Sequence, residues 1–379
     1  MPTQRFPTEI LLMVVESLVS RNSDEIYPPY HPVTKSLVAF TRVCRATNPP
    51  ASKLLWQFCL YINSKTRAAS FAASLKSAPL EKIFSTHLPA RLFLRPFRSE
   101  SERGRARPLP IDAIEPDQET SPRSSSTSSA SLPTHTYLSV SPLEDVPTAI
   151  VVRDILFALA PILRSLVIDM PLRTLYPYYD KGGVRPILRD AFEALVNLED
   201  FVSIRDELFL ATDDEQDEPE VWAECWPKLR RLALYNPNMD MGGDIWVDMA
   251  RLPHLELGIF ARADMHGIDG FTVKHEWVNA VLGTRKRARL DLDPQRDPRE
   301  ISLVFLEDFY SSVDFSDSAY TPEALDPNHC VDIRVLKVPE EESHMTSYGE
   351  PNPIASCQSW LKARAAKGTL WAEALAGRR

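Results

Sequence analysis

The side chains able to do chemistry are dispersed along this 379-residue chain. Its cysteines are Cys44, Cys59, Cys225, Cys330 and Cys357. No two form a CxxC pair and none has a histidine at zinc-finger spacing, so the sequence offers neither a structural zinc site nor a redox dithiol. An odd and scattered set reads as reduced thiols, which implies a cytoplasmic or nuclear location. His266 and His275 fall near Asp264 and Asp269. Nothing repeats the HExxH spacing that sets two imidazoles on one helical face, and neither a metal nor any other cofactor is expected. The Gly-rich signatures of phosphate loops and dinucleotide folds are missing, as is the GxSxG nucleophile elbow. Carboxylates are plentiful, yet none pairs by spacing into a general acid and base. The chain therefore reads as a binding protein, not an enzyme, with no catalytic residue to name.

Composition limits the partners. A formal net charge of -9 makes the overall field repel nucleic acid. The basic run Arg285-Lys286-Arg287-Ala288-Arg289 reads as a solvated turn and the acidic stretch Asp213–Glu220 as a solvated loop. No run of about eighteen apolar residues occurs, and Met1-Pro2-Thr3-Gln4-Arg5 opens no secretory signal, so no membrane partner is expected. Hydrophobic residues make up 44% of the chain, enough for a globular core. Its 32 prolines against 12 glycines favour abruptly ended elements over flexible linkers.

The elements that must position any binding surface begin at once. Pro7 suits a first helical turn, where its missing N–H costs nothing, and Glu9 complements the helix dipole there. Leu11, Val14, Val15 and Leu18 follow at i, i+3, i+4 and i+7, the stripe of an amphipathic helix. After a connection from Ser20 to Lys35, with Pro28, Pro29 and Pro32, a second helix over Lys35–Arg45 sets Leu37, Phe40, Val43 and Cys44 on one face. A third opens at Ala51 and presents Leu55 and Trp56. Three short helices make a small core, so apolar positions left outside it need a partner surface.

Behind them the rhythm changes. Asn63–Ala90 is helix-prone, with Phe71, Leu75 and Leu80 as its apolar face. The tract that includes Ser121–Ser131 buries too little apolar area to offset its ordering entropy and reads as a disordered insertion. Helix-then-strand units follow. The stretch from Ile150 leads into Leu163-x-x-Leu166-x-Ile168, and that from Arg185 into Leu198-x-x-Phe201. Val221 onward leads into Leu229-x-x-Leu232-x-Leu234, and Ile245 onward into Leu252–Ile259. A weaker copy pairs Trp277–Leu282 with Ala288–Leu292. The starts Leu163, Leu198, Leu229 and Leu255 are 35, 31 and 26 residues apart, an irregular period for units that can cover their apolar sides only by stacking. Ile301–Leu306 and Val331–Val338 read as strands, and Ser356–Leu375 as a helix that caps the array with Trp360, Leu361, Leu370, Trp371 and Leu375. The expected division is 1–62 helical module, 63–97 connector, 98–145 insertion, 146–340 repeats and 341–379 tail with capping helix.

The ordered set Pro7-x-Glu9-Ile10-Leu11, Leu18, Leu37-x-x-Phe40-x-x-Val43-Cys44-Arg45 and Ser52-x-x-Leu55-Trp56 resembles the F-box, and the irregular leucine-rich units resemble those of fungal F-box-like proteins. The resemblance implies an α/β protein: a three-helix F-box-like module followed by an irregular leucine-rich-repeat-like βα solenoid. It further implies docking on a Skp-type adaptor, and through it a cullin, by Pro7, Ile10, Leu11, Leu18, Leu37, Phe40, Val43, Leu55 and Trp56 or their immediate support. An unknown protein substrate would sit on the repeats. The alternative expectation is a protein-interaction scaffold that keeps the helices as structure and forms no ligase.

Overall fold

Strands covered on both faces read as nearly continuous apolar runs, and those of this chain do. In β6 (Leu257–Ala261) and β7 (Ile301–Glu307) every residue is buried. The computed structural model describes residues 7–20, 24–77, 89–97, 141–213, 218–239, 244–264, 270–287, 300–309 and 330–376. Within them, eight strands form one parallel sheet. The other six are β1 (Leu60–Ile62), β2 (Ala90–Leu94), β3 (Leu163–Ile168), β4 (Asp200–Ser203), β5 (Arg231–Tyr235) and β8 (Val331–Lys337). They lie in chain order, β1 to β8, each parallel to the next.

Parallel neighbours need a crossover, and from β1 to β7 described helices supply it, while the β7–β8 connection falls mostly outside the described residues. The described residues hold α1 (Thr8–Ser17), α2 (Pro32–Val43), α3 (Asn48–Phe58), α4 (Lys65–Ser77), α5 (Val146–Leu159), α6 (Val184–Glu193), α7 (Val221–Cys225), α8 (Asp244–Arg251), α9 (Gly270–Arg287), α10 (Pro353–Lys367) and α11 (Leu370–Leu375). From α4 to α9 each helix packs against the next. Side chains alternate across a strand, so each strand feeds two cores. Leu92, Leu166, Phe201, Leu232, Phe260 and Leu303 point toward the crossover helices. Phe93, Val167, Val202, Ala233, Ile259 and Val304 point the other way and meet Cys357, Trp360, Leu361, Leu370 and Trp371 of α10 and α11.

Three points differ from the sequence reading. Strands β1 and β2 precede the expected start of the repeats, because β1 has only three residues and no alternation long enough to read. The closing helix does not sit at the end of the array as a cap. It breaks at Gly368 into two helices that lie across the second sheet face. The basic run is helical as far as Arg287, at the end of α9. Leu80, most of the Ser-rich insertion, His266, Asp269 and Ala288–Leu292 lie outside the described residues.

The long connection between α1 and α2 fastens the helices to the sheet. The Asp24 carboxylate accepts from Arg91 of β2 at 2.9 Å and from Arg231 of β5 at 3.3 Å. The Ile26 N–H donates to Ala366 O of α10 at 2.9 Å, and the Tyr27 N–H to Phe58 O of α3 at 2.7 Å. His31 then caps α2, its Nδ1 accepting from the Val33 N–H at 3.3 Å, and Pro32 takes the first helical position.

Candidate functional site

The N-terminal helices close their own small core before they meet anything else. Val15, Val19, Tyr27, Leu37, Ala51 and Phe58 are buried in it, with Leu18, Phe40, Leu54 and Leu55 half-buried against them. Thr47 locks the turn between α2 and α3: it is buried, and its hydroxyl donates to Phe40 O at 2.7 Å. The side-chain amide of Asn48 donates to Thr41 O at 2.8 Å.

What this core leaves outside is apolar. Ile10, Met13 and Val14, at i, i+3 and i+4 on α1, are 45%, 66% and 41% exposed. Val38 and Val43 of α2 are also exposed, at 38% and 57%. A groove of about 410 Å³ runs along the β1 edge, lined among others by Val38, Leu55, Trp56, Tyr61 and Phe71. Trp56 leans inward over it, its ring centroid 5.6 Å from that of Phe71.

The sequence-predicted residues therefore divide. Pro7, Ile10 and Val43 are exposed; Leu11, Leu18, Phe40, Leu55 and Trp56 are half-buried; Leu37 is fully buried and can only support. Leu37 and Val43 do not share a face as the spacing implied. Helix α2 ends at Val43, and Cys44 is already extended, with φ -158°. Val14, placed in the inward stripe, faces out, because the buried side of α1 centres on Val15. Met13 and Val38 were missed, although the outward side of an amphipathic helix carrying apolar residues is itself a signal.

A second group of side chains gathers at the carboxyl ends of β3, β4 and β5. Asp206 is buried and accepts from the N–H groups of Leu172, Arg173 and Leu208 at 2.7, 3.2 and 3.1 Å. Arg185, also buried, donates to the carbonyls of Leu175 and Phe209 at 2.5 and 3.0 Å and to that of Ala211. These contacts fix the loops after β3 and β4 to one another. Burial, then the charge of Glu207, pushes the Asp206 carboxyl up to about 7. Burial, then Glu207 and Asp248, pushes Glu220 up to about 8, and burial raises Asp248 to about 6. Sequence spacing singled out none of them; the acidic stretch contributes Glu218 and Glu220, and its residues 214–217 lie outside the described ones.

These shifts set the sign of a pH effect. The folded protein holds protons on Asp206, Glu220 and Asp248 that the unfolded chain releases near about pH 4, so stability falls as pH rises between about 4 and 8. Carboxyls held low, such as Asp145 and Asp169, add their pH dependence only below that window. The melting temperature is expected to be a few degrees higher at about pH 5.5 than at about pH 8.5, and Glu220→Gln should flatten the slope. A melting temperature that is constant or rises with pH would contradict this.

Among the described residues no three His, Cys, Asp or Glu side chains gather as a metal ion requires, and no helix is long and apolar enough to cross a membrane. Compared with known proteins, the chain matches no family model, no curated protein and no solved structure.

Proposed function

We propose that α1 to α3 form an F-box-like module that docks on a Skp-type adaptor of a cullin ubiquitin ligase, and that the βα units form an irregular leucine-rich-like solenoid that holds a substrate protein. The observation that carries the reading is the apolar surface of α1 and α2. Ile10, Met13, Val14, Val38 and Val43 remain exposed over a helical core that is already complete beneath them. Burying one such side chain is worth roughly 1.5–3 kcal/mol, which gives this surface reason to be covered by a partner. The chain-order parallel sheet is the arrangement that stacked βα units produce, and it supports the solenoid part of the reading. The activity is positional: the receptor raises the effective concentration of a substrate beside a ubiquitin-charged enzyme and does no chemistry of its own.

The scaffold reading draws on a different observation. Only Cys59 separates α3 from β1, and residues 24–27 are bound to β2, β5 and α10, so the helices are built into the sheet. Co-precipitation separates the two. The wild-type chain should bring down the adaptor and cullin, and Ile10→Asp with Met13→Asp should lose both while melting as wild type does, because neither side chain is in the core. Trp56→Ala is unsuitable, since Trp56 packs on Phe71. A folded wild type that captures no adaptor leaves the scaffold reading, whereas a double variant that binds as well as wild type removes the α1 face from the account.

A further inference from the structure

A cleft of about 670 Å³ opens at the carboxyl ends of β3 to β5, between the start of α7 and α8. Parallel sheets place ligand crevices outside the carboxyl ends of their strands, and the loops here are held rigid by Asp206 and Arg185. Six carboxylates line it, those of Glu207, Glu218, Glu220, Glu224, Asp244 and Asp248, against the two guanidiniums of Arg173 and Arg251. Arg173 is committed to Glu207, Arg251 to Asp248 at 2.9 Å, and Arg189 reaches in to Glu218 at 3.2 Å. Glu220, Glu224 and Asp244 have no ion-pair or side-chain hydrogen-bond partner among the described residues. The Glu220 carboxyl is the extreme case. It lies half-buried in the cleft wall, facing the negative charges of Glu207 and Asp248, with the guanidiniums of Arg189 and Arg173 acting only at longer range.

The remaining wall is apolar and aromatic, with Phe209, Trp222 and Leu234. Trp222 lines this wall at 1% exposure, and its buried indole N–H has no hydrogen-bond partner among the described residues. Outside, an aromatic shelf continues from Phe209, whose ring lies 5.5 Å from that of Tyr176, to the exposed Tyr178 and Tyr179. A wall of this kind takes the aliphatic stem of a long basic side chain while the carboxylates take its head. The shelf beyond the mouth gives a polypeptide more to rest on than a small cation can use.

We propose that this cleft binds a lysine or arginine side chain presented by a basic segment of a partner protein. The binding does not depend on the adaptor; only the identification of the bound segment as a ligase substrate rests on the reading above. The test is fluorescence anisotropy of the full chain with labelled peptides of equal length, one rich in lysine and arginine, one rich in glutamate, without adaptor. The basic peptide should bind and the acidic one should not. Glu224→Gln and Asp244→Asn together, or Glu224→Arg alone should the double variant melt early, should weaken binding by about tenfold. A control with the same charge change elsewhere, Glu340→Gln and Glu341→Gln, should stay within about twofold of wild type. No binding by wild type, or equal weakening by cleft and control variants, overturns the proposal. So does a linear polyamine that displaces the peptide and binds as tightly, since the source is then a small cation. Because no adaptor is present, failure here leaves the docking face of α1 and α2 untouched.

Discussion

Replacing Asp169 by alanine is expected to destabilise the protein by about 3–5 kcal/mol. Asp169 follows β3 and is 2% exposed. Its carboxylate meets Arg95 at 3.0 Å, Arg205 at 2.5 Å and Lys362 at 2.6 Å, so one side chain ties the ends of β2 and β4 to α10. Burial alone would raise its pKa, but the charges of Arg205, Lys362 and Arg95 outweigh burial and hold the carboxyl below the usual carboxylate range. Alanine removes the anion and leaves three half-buried cations facing one another, a larger penalty than the net value of the pairs themselves. Asp169→Asn keeps the shape and loses only the charge, so it should fall between alanine and wild type. Urea unfolding measures both; a loss under about 1 kcal/mol for alanine would mean that water already screens the cluster.

Gly368→Ala is the second large effect, on the order of 3 kcal/mol. Gly368 ends α10 in the left-handed region, φ 71°, with its N–H donating to Ala365 O and the Thr369 N–H to Arg364 O, the hydrogen-bonded ending that glycine permits. A Cβ there would lie 2.4 Å from the carbonyl carbon of Asp24 and 2.4 Å from Glu25 N. Both are main chain, so the connection itself must lift. That strains the Ile26 N–H to Ala366 O hydrogen bond and the pairs of Asp24 with Arg91 and Arg231. Gly349 is the control. It is also left-handed, φ 79°, with nothing within 4 Å of a Cβ, so Gly349→Ala should cost only the backbone term of about 1–2 kcal/mol. Equal melting temperatures for the two variants would remove the clash from the account.

The central strands were legible because burial on both faces leaves an apolar signature that needs no partner to be read: β3, β5, β6 and β7 fall on the stretches Leu163–Ile168, Leu229–Leu234, Leu252–Ile259 and Ile301–Leu306. The break in the closing helix was written in Lys367-Gly368-Thr369, a helix-ending glycine between two amphipathic stretches. The face that helix covers was not, since its apolar residues fit an end cap and a sheet face equally well. At the proposed docking surface, periodicity marked α1 as amphipathic and put Val15 on one stripe with Leu11 and Leu18, but it put Val14 there too, and Val14 faces out. The inward lean of Trp56 depends on Phe71, fifteen positions on, and no local pattern reports it. The acidic cleft was beyond reach for the same reason: Arg173, Glu207, Glu220 and Asp248 stand on four separate segments that only the stacking of β3 to β5 brings together.

The proposed docking surface is tested most directly by amide hydrogen exchange of the full chain with and without a Skp-type adaptor. The account predicts added protection over residues 8–18 and 36–44, where Ile10, Met13, Val14, Val38 and Val43 stand exposed. Residues 24–27, already bonded to the sheet and to α10, should not change. Added protection confined to the βα units, or no change anywhere at saturating adaptor, would contradict the account.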